Sequence, residues 1–395
     1  MAVRKRTWTY KRVESSAWVV DYKDLAGKRR LKTFDVRKEA DNFAATTHID
    51  LKKGIHIPDR NSVTVAQAGK LWLAQNEADE LERYAIKRNR QHLDTHIVPR
   101  IGNKRLNQIN VPEVRAFIDR LRSEGVSKAL AKMIVTSLGS IIADAQERGL
   151  ASHNPVRDMR KNRGKRGQKA EARAKPLELG VEIPEATEIR SILAKAAGRR
   201  RAMVAVLAFA GLRASEMRGL RWPDIDLNAH TLSVRQRADQ GGDIGEAKSG
   251  AAYRTLPLLP LVVNALKEWR LACPKSKLDL VFPNGIGNVE SHQNIVQRHW
   301  HPLQETAGVT KPVVDKDKKP VMAPKYSGLH SLRHFFASWC IAGRENGGLG
   351  LDAKTVQYRC GHSSITVTLD TYGHLWPAGD ETERMAAAER AFLSV

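Results

Sequence analysis

The beginning of the chain alternates between apolar and polar residues, which is the period of a β-strand with one buried face. The alternation predicts strands at residues 8–13, 18–22 and 31–34. Residues 24–27 (Asp-Leu-Ala-Gly) have the composition of a turn between the last two strands. From residue 37 the period becomes helical, and this helix is expected to run to residue 53 and stop at Gly54. Residues 1–57 are therefore predicted to form a small domain of three strands and a helix.

Apolar residues at helical spacing continue through residues 62–155. The pattern predicts four helices, near residues 64–76, 79–98, 111–123 and 127–149. Thr64 and Gln67 have the spacing of a capping box, and Pro112 follows Asn110 in the first turn of the third helix. This part of the chain is predicted to be an all-helical domain.

The pattern of residues 181–395 is mostly helical, with one predicted β-hairpin formed by residues 231–234 and 254–258. The connection of that hairpin contains Lys248, and residues 381–395 have the pattern of an amphipathic helix. The predicted fold class is therefore multidomain and mainly α. It combines a small N-terminal three-stranded sheet plus helix, a helical domain, and a mixed α/β, mostly helical, third domain.

Charge narrows the range of partners. The chain has 66 Lys and Arg against 43 Asp and Glu, a formal net charge of +23, which favours a nucleic acid or an anionic membrane surface. The membrane is the weaker alternative, because the longest apolar run, residues 203–212, has half the length of a spanning helix and is flanked by arginines. Three cysteines without a Cys-x-x-Cys pair, and no secretory pattern, lead us to expect a reduced, cytoplasmic protein without a zinc finger.

Positive charge is concentrated in two segments. The first 57 residues hold 14 Lys and Arg against 7 Asp and Glu, and a three-stranded sheet is small enough to enter the major groove of DNA. The alternative for this segment is an ordinary basic surface. Residues 156–180 are predicted to be a basic interdomain linker, and within it residues 157–176 hold nine basic residues against Asp158 and Glu171. We expect the linker to contact the DNA backbone in a sequence-independent, salt-dependent way.

Six residues of the second half supply what metal-free cleavage of a phosphodiester requires. They are Arg213, Lys248, His330, Arg333, His362 and Tyr372. Guanidinium groups match the non-bridging oxygens of a phosphate, lysine and histidine can move protons, and tyrosine can act as a covalent nucleophile. Because phosphoryl transfer depends mainly on positioning and on stabilising charge, this set predicts DNA strand cleavage and rejoining.

The spacing of two of these segments supports a shared site. Arg213 follows an apolar helix, and Glu216 three residues later is suited to orienting its guanidinium group. His330 and Arg333 are one helical turn apart and project from the same face. A lone arginine near a helix end is more often a structural surface residue, so the prediction depends on the ordered set.

The third segment places His362 in a Gly-His-Ser-Ser sequence, ten residues before Tyr372 in Tyr-x-His. With these three motifs in order, the chain resembles the tyrosine recombinases, the phage integrase family. The resemblance covers residues 184–376 through motifs and extends more loosely to residues 62–155, which resemble the family's core-binding (SAM-like) domain. Residues 1–57 are similar to the arm-type DNA-binding domain of phage-type integrases.

The resemblance implies a role for each candidate residue. Arg213 and Arg333 would clamp the scissile phosphate, and His362 would donate a hydrogen bond to it. Lys248 would protonate the departing 5′ oxygen, and His330 would assist proton transfer from the nucleophile. The tyrosine would attack to leave a 3′-phosphotyrosine and a free 5′-hydroxyl, with no metal, ATP or other cofactor.

The chain departs from the family pattern in a few places. Cys360 replaces the usual leucine before Gly-His, which changes packing rather than chemistry. Residues 344–350 are predicted to form a longer, looser turn, and residues 310–325, with three prolines, a long loop. Lys267 is the alternative to Lys248 as the catalytic lysine.

A metal site is considered and set aside. His330 and His334 are four residues apart, which is the spacing of a helical metal pair. The glutamate of a zinc-protease helix is absent, however, so no metal is predicted. Cys340 and Cys360 are expected to be buried apolar residues.

These patterns predict a site-specific recombinase of the integrase type, from a phage or another mobile element. It would bind core sites on double-stranded DNA with residues 62–395 and arm sites with residues 1–57, and family analogy implies a homotetramer acting through a Holliday junction. A type IB topoisomerase and a non-cleaving DNA-binding regulator remain as alternatives. Open points are the attachment sequence, the need for a DNA-bending host factor or an excisionase, and whether the helix at 381–395 packs in cis or on a neighbouring subunit.

Overall fold

The computed structural model describes residues 1–10, 13–58, 62–159, 176–246, 250–314, 319–376 and 381–394. It contains two compact units, Met1–Glu171 and Ala172–Val395. Two predictions concern residues outside the described ranges. Most of the predicted basic linker lies outside them, and so does the candidate Lys248.

The first unit opens with an antiparallel sheet of order β1-β2-β3. Its strands are Ala2–Tyr10 (β1), Val13–Lys23 (β2) and Arg29–Phe34 (β3). The helix Arg37–Lys52 (α1) packs on one face of the sheet, where Val20, Tyr22 and Ala40 form a small buried core. The strand-and-helix prediction for this segment is confirmed, including the stop at Gly54, whose φ of +69° suits glycine.

The position of the first predicted strand is wrong. β1 begins at Ala2 rather than at residue 8, and its register pairs Lys5 with Trp18 of β2. This edge strand is exposed along almost its whole described length, so its sequence shows no hydrophobic period and only pairing with β2 identifies it.

The described residues 62–159 are mainly helical, as predicted for residues 62–155. Its helices are Val65–Ala78 (α2), the continuous Arg83–Gln91, His92–Ile97 and Val98–Ile101 (α3, π-wound in its middle segment), Val111–Ser123 (α4) and Lys128–Glu147 (α5). The Thr64–Gln67 capping box is present, and the Asn110 side chain accepts from the backbone N–H of Glu113. α3 starts four residues later than predicted, because Glu80 has φ +50° and makes a turn after α2.

The second unit is built around one buried helix. Its helices are Ala186–Lys195 (α6), Gly198–Ala210 (α7), Ala214–Arg218 (α8), Pro260–Ala272 (α9), the continuous His292–Asn294, Ile295–Trp300 and His301–Thr306 (α10), His330–Ile341 (α11), Ala353–Cys360 (α12), Ile365–Tyr372 (α13) and Glu381–Leu393 (α14). The long apolar run of the sequence is α7, which is buried on nearly all sides. The run is a core helix, and no helix of the described residues is long and apolar enough to cross a membrane.

Strands of the second unit form small antiparallel sheets. They are Ile225–Asp226 (β4), Thr231–Val234 (β5), Gln236–Ala238 (β6), Ile244–Glu246 (β7), Arg254–Pro257 (β8), Thr310–Val314 (β9) and Pro320–Pro324 (β10). The predicted hairpin is the pairing of β5 with β8, which is confirmed. The expectation of a single hairpin is wrong, because β6 pairs with β7 and β9 pairs with β10.

The predicted loop at residues 310–325 is therefore a two-stranded ribbon. Its prolines were interpreted as breaking regular structure, but each strand of an isolated pair has a free edge where a missing N–H costs little. The turn at 344–350 is also tighter than expected: the N–H groups of Leu349, Gly350 and Leu351 donate to carbonyls at the end of α11. Cys340 and Cys360 are buried, as predicted.

Candidate functional site

Arg213 lies where the buried helix α7 ends. The chain turns at Gly211 with φ +62°, and Arg213 then precedes the first residue of α8. Its backbone N–H and its guanidinium group both donate to the carboxylate of Glu216, at 2.9 and 2.7 Å. The second contact is the one that the predicted orienting role of Glu216 requires. The other terminal nitrogen of Arg213 donates to the carbonyl of Gly361 at 2.6 Å.

Arg333 projects from α11 and is 1% exposed. Its guanidinium group donates to the carbonyl of Gly211 at 2.6 Å and to the carbonyl of Cys360. Burial and the nearby Arg213 lower the pKa of Arg333, although Glu216 opposes that shift. Arg333 therefore joins the turn after α7 to the end of α12.

Arg254 is a buried residue of the site that the sequence patterns did not identify. It lies on β8, and its guanidinium group forms an ion pair with Glu216 at 2.9 Å. It also donates to the carbonyl of Arg359 at 2.9 Å. No motif marks this arginine, since its partners are far away in the sequence and are brought together only by folding.

Three guanidinium groups thus hold three consecutive carbonyls at the end of α12. Arg254, Arg333 and Arg213 bind the carbonyls of residues 359, 360 and 361, respectively. A helix C-terminus has unpaired carbonyls and partial negative charge, so cations are favourable there. This arrangement fixes the turn that leads directly to His362.

His362 follows the left-handed Gly361, which has φ +63°. Its Nδ1 lies 2.9 Å from the hydroxyl of Thr368, which is itself fully buried on α13. Burial and the three arginines lower the pKa of His362 to about 3. The imidazole is therefore uncharged at neutral pH.

His330 lies at the exposed start of α11. Its ring meets the ring of His334 edge to face, with centroids 4.5 Å apart. Partial desolvation beside Arg333 and Arg213 lowers the pKa of His330. Within the described residues, no group of three or more His, Cys, Asp and Glu is arranged to hold a metal ion.

Tyr372 is the last residue of α13 and is 1% exposed. Its ring is stacked on that of His362, with centroids 6.1 Å apart and planes 13° from parallel. Its hydroxyl lies 2.8 Å from Nδ1 of His334. Burial raises the pKa of Tyr372 above its usual range, and Arg333 only partly opposes the shift. The phenol is therefore protonated at neutral pH.

Five of the six candidate residues belong to one connected cluster. Arg213 donates to the carbonyl of Gly361, and Arg333 donates to the carbonyl of Gly211. His362 directly follows Gly361, and its ring stacks on Tyr372. The ring of His330 contacts His334, which contacts Tyr372. Lys248 lies outside the described residues. Lys267, the alternative to Lys248 as catalytic lysine, is an exposed residue of α9. It lines a different pocket, together with Asp224 and Arg270. Two guanidinium groups, neutral imidazoles and a phenol in contact can bind a phosphate diester and deliver a nucleophile to it.

Comparisons with known proteins show the family that the chain is similar to. The model of the phage integrase family matches residues 183–378, and that of the phage integrase central domain matches residues 65–162. A tyrosine recombinase XerC-like protein of Caldanaerobacter subterraneus subsp. tengcongensis is 23% identical over 383 residues, covering 90% of each chain. The tyrosine recombinase XerC of Xanthomonas axonopodis pv. citri is 29% identical over 268 residues, covering 68% of this chain and 74% of that protein.

Two solved structures are similar in fold. A fragment of the Tn1549 transposon integrase in complex with a circular intermediate DNA has a TM-score of 0.60 at 18% identity, covering 84% of this chain and 100% of that one. A lambda integrase tetramer bound to a Holliday junction has a TM-score of 0.52 at 16% identity, covering 91% and 96%. At these identities the likeness concerns the fold alone.

Proposed function

The chain belongs to the phage integrase family of tyrosine recombinases, and we propose that within this family it is an integrase that inserts or excises a mobile element. Family membership makes it a site-specific recombinase. The proposal adds the biological reaction, the roles of the individual residues, and the assembly on DNA.

Tyr372 is the proposed nucleophile. Its phenolic oxygen attacks the scissile phosphorus, the phenolic proton leaves, and the bond from phosphorus to the 5′ oxygen breaks. The departing oxygen takes a proton from Lys248, so the products are a 3′-phosphotyrosine and a free 5′-hydroxyl. Because the ester bond is exchanged for another ester bond, a hydroxyl from the partner strand can reverse the step without ATP.

Arg213 and Arg333 are proposed to bind the non-bridging oxygens of the phosphate, and His362 to donate a hydrogen bond to it. The neutral state of His362 suits this role, since a neutral imidazole still has one N–H to donate. His330, at the exposed end of the same cluster, is proposed to help carry away the proton of the nucleophile.

The proposed partner is double-stranded DNA. The first strand of the N-terminal sheet exposes Arg4, Lys5, Arg6 and Trp8, which suits contact with an arm site. Residues 62–395 are proposed to bind the core site, as four protomers that exchange strands through a Holliday junction. Support comes from the similar integrases solved with circular intermediate DNA and, as a tetramer, with a Holliday junction. A DNA-bending host factor and an excisionase are candidate accessory partners.

The exposed apolar side chains of α14 fit such an assembly. Met385, Phe392 and Leu393 all point to solvent in the isolated chain. We favour docking of this helix on a neighbouring protomer over packing in cis, since contact with a partner would remove this apolar surface from water.

The gathering of both arginines, His330, His362 and Tyr372 from three separate segments into one cluster carries this proposal. It can be tested with a core site taken from the DNA that flanks the gene, placed in a nicked suicide substrate. Wild-type protein is expected to form a covalent adduct, whereas Tyr372→Phe binds the same DNA and forms none.

Recombination between two intact sites then distinguishes an integrase from a topoisomerase, which would only relax supercoils. DNA binding by the wild type without any adduct would support a non-cleaving regulator instead.

A further inference from the structure

His334 holds the hydroxyl of Tyr372, although it is not among the six candidate residues. Its Nδ1 lies 2.8 Å from the phenolic oxygen, a normal hydrogen-bond length. His334 follows Arg333 on α11, so the same rigid helix carries a phosphate-binding arginine and the partner of the nucleophile.

The tyrosine ring contacts two histidines. His362 stacks on it with the planes 13° from parallel, and His334 is tilted against it with centroids 5.8 Å apart. His330 in turn packs edge-on against His334, with centroids 4.5 Å apart. Stacking on His362 limits the tilt of the phenol ring. It does not fix where the phenolic oxygen lies within the plane of the ring, so that position depends on the hydrogen bond at the hydroxyl.

The contact joins two uncharged groups. Burial and the neighbouring His330 and Arg333 lower the pKa of His334 to about 4, and burial raises that of Tyr372. At neutral pH the imidazole is therefore free to accept a hydrogen bond, and the phenol has a proton to donate. A buried phenol without any partner would destabilise the protein, so the pair is also favourable to the fold.

We propose that His334 is a positioning residue for Tyr372, which fixes the phenolic oxygen in register with the phosphate site that Arg213 and Arg333 form. The proposal rests on the proposed function of Tyr372 as the nucleophile. His334 acts on the nucleophile and not on the leaving group, so its loss slows attack while leaving DNA binding intact. Displacement of a reacting group by about 1 Å costs roughly 100-fold in rate, which sets the size of the effect.

The test compares two substitutions of His334 in single-turnover cleavage of a suicide substrate. Asn carries a polar atom at the same distance from the backbone as Nδ1, so His334→Asn is expected to cleave within about 10-fold of wild type. His334→Leu has no hydrogen-bonding group and is expected to cleave roughly 100-fold more slowly, at unchanged affinity for DNA. His48→Leu, at an exposed position of α1, controls for the substitution type. Circular dichroism and thermal unfolding establish that each variant is folded, and His334→Ala replaces the leucine variant if that one is not.

A modified substrate separates a defect at the nucleophile from a defect at the leaving group. When the 5′ bridging oxygen is replaced by sulfur, the leaving thiolate needs no acid, since thiols ionise near pH 8.5. This substrate is expected to restore cleavage by Lys248→Ala but not by His334→Leu, because only the first defect is at the leaving group. Cleavage by His334→Leu at the wild-type rate, or its rescue by the sulfur substrate, would overturn the positioning role alone. Absence of an adduct with wild-type protein would instead overturn the proposed function.

Discussion

The carboxylate of Glu216 balances the charge of the buried arginines. It accepts hydrogen bonds from Arg213 and Arg254, while Arg333 lies close enough to affect its ionisation. Burial alone would raise the pKa of Glu216, but the arginines outweigh it and lower the pKa below 4.5. Without this negative charge, two of the guanidinium groups would lose their counterion in a desolvated site.

We predict that Glu216→Gln lowers the free energy of unfolding by about 3–5 kcal/mol near neutral pH, the cost of breaking a buried ion pair. Because the pKa of Glu216 is lower in the folded protein than in the unfolded chain, its ionised carboxylate stabilises the folded protein at pH values above the ordinary pKa of the carboxyl. This stabilisation is lost as the pH falls through the pKa of the folded protein. The difference between the variant and wild type should therefore shrink below about pH 4.5. Urea titrations at several pH values measure it. Glu268→Gln, at an exposed site on α9, should change stability by less than about 0.5 kcal/mol.

At the scale of elements, the junction between α12 and α13 organises the site. Gly361 ends α12 in the left-handed conformation, and a Cβ there would lie 2.7 Å from the guanidinium nitrogen of Arg254. Both the backbone angle and the space therefore require glycine. The same turn carries His362, so any shift of the turn moves a group that is proposed to bind the phosphate.

We predict that Gly361→Ala reduces the cleavage rate by at least about 10-fold, because the alanine strains the turn and pushes against Arg254. The same change should destabilise the protein by about 1–3 kcal/mol. Gly285→Ala is the matched control, since an added Cβ there meets nothing within 4 Å and the backbone is not left-handed. Equal cleavage rates for the two variants would refute the requirement for glycine at this turn.

Helix periods and caps made much of the fold predictable from sequence. The helices of the first unit, the pairing of β5 with β8 and the burial of Cys340 and Cys360 all follow from local patterns. β1 and the β9–β10 ribbon were missed, because exposed strands show no hydrophobic period and are defined by their pairing.

For the site, sequence motifs indicated the residues but not their contacts. His330 and His334 have the spacing of a metal pair, but the same spacing places His334 one turn after the candidate His330 on one face of α11, and this is the signal for its role. No sequence pattern marks Arg254, because its role in the site depends on a hydrogen bond to the carbonyl of Arg359, about a hundred residues away. The assignment of Lys248 remains a prediction.

At the scale of the whole molecule, the net charge of +23 favours binding to DNA. Each phosphate neutralised by a lysine or arginine releases counterions, so DNA affinity should fall steeply with salt. The basic N-terminal segment is the part of this charge that can be removed without touching the candidate site.

We predict that deletion of residues 1–57 spares cleavage of a core-site suicide substrate but reduces integration between intact sites by at least about 10-fold. The deletion removes basic residues and the sheet, and with them the proposed arm-site contact and part of the salt dependence. It also removes Asp50, which pairs with His153 at 3.0 Å within the first unit, so folding of the shortened chain must be verified. Undiminished integration by a folded variant would contradict an arm-binding role.

The most direct measurement is the mass of the peptide that becomes attached to DNA. After reaction with a core-site suicide substrate, nuclease and protease digestion should leave one modified peptide, with a nucleotide joined through its 3′ phosphate to Tyr372. Attachment at any other residue, or cleavage without a covalent intermediate, would contradict the assignment of Tyr372 as the nucleophile.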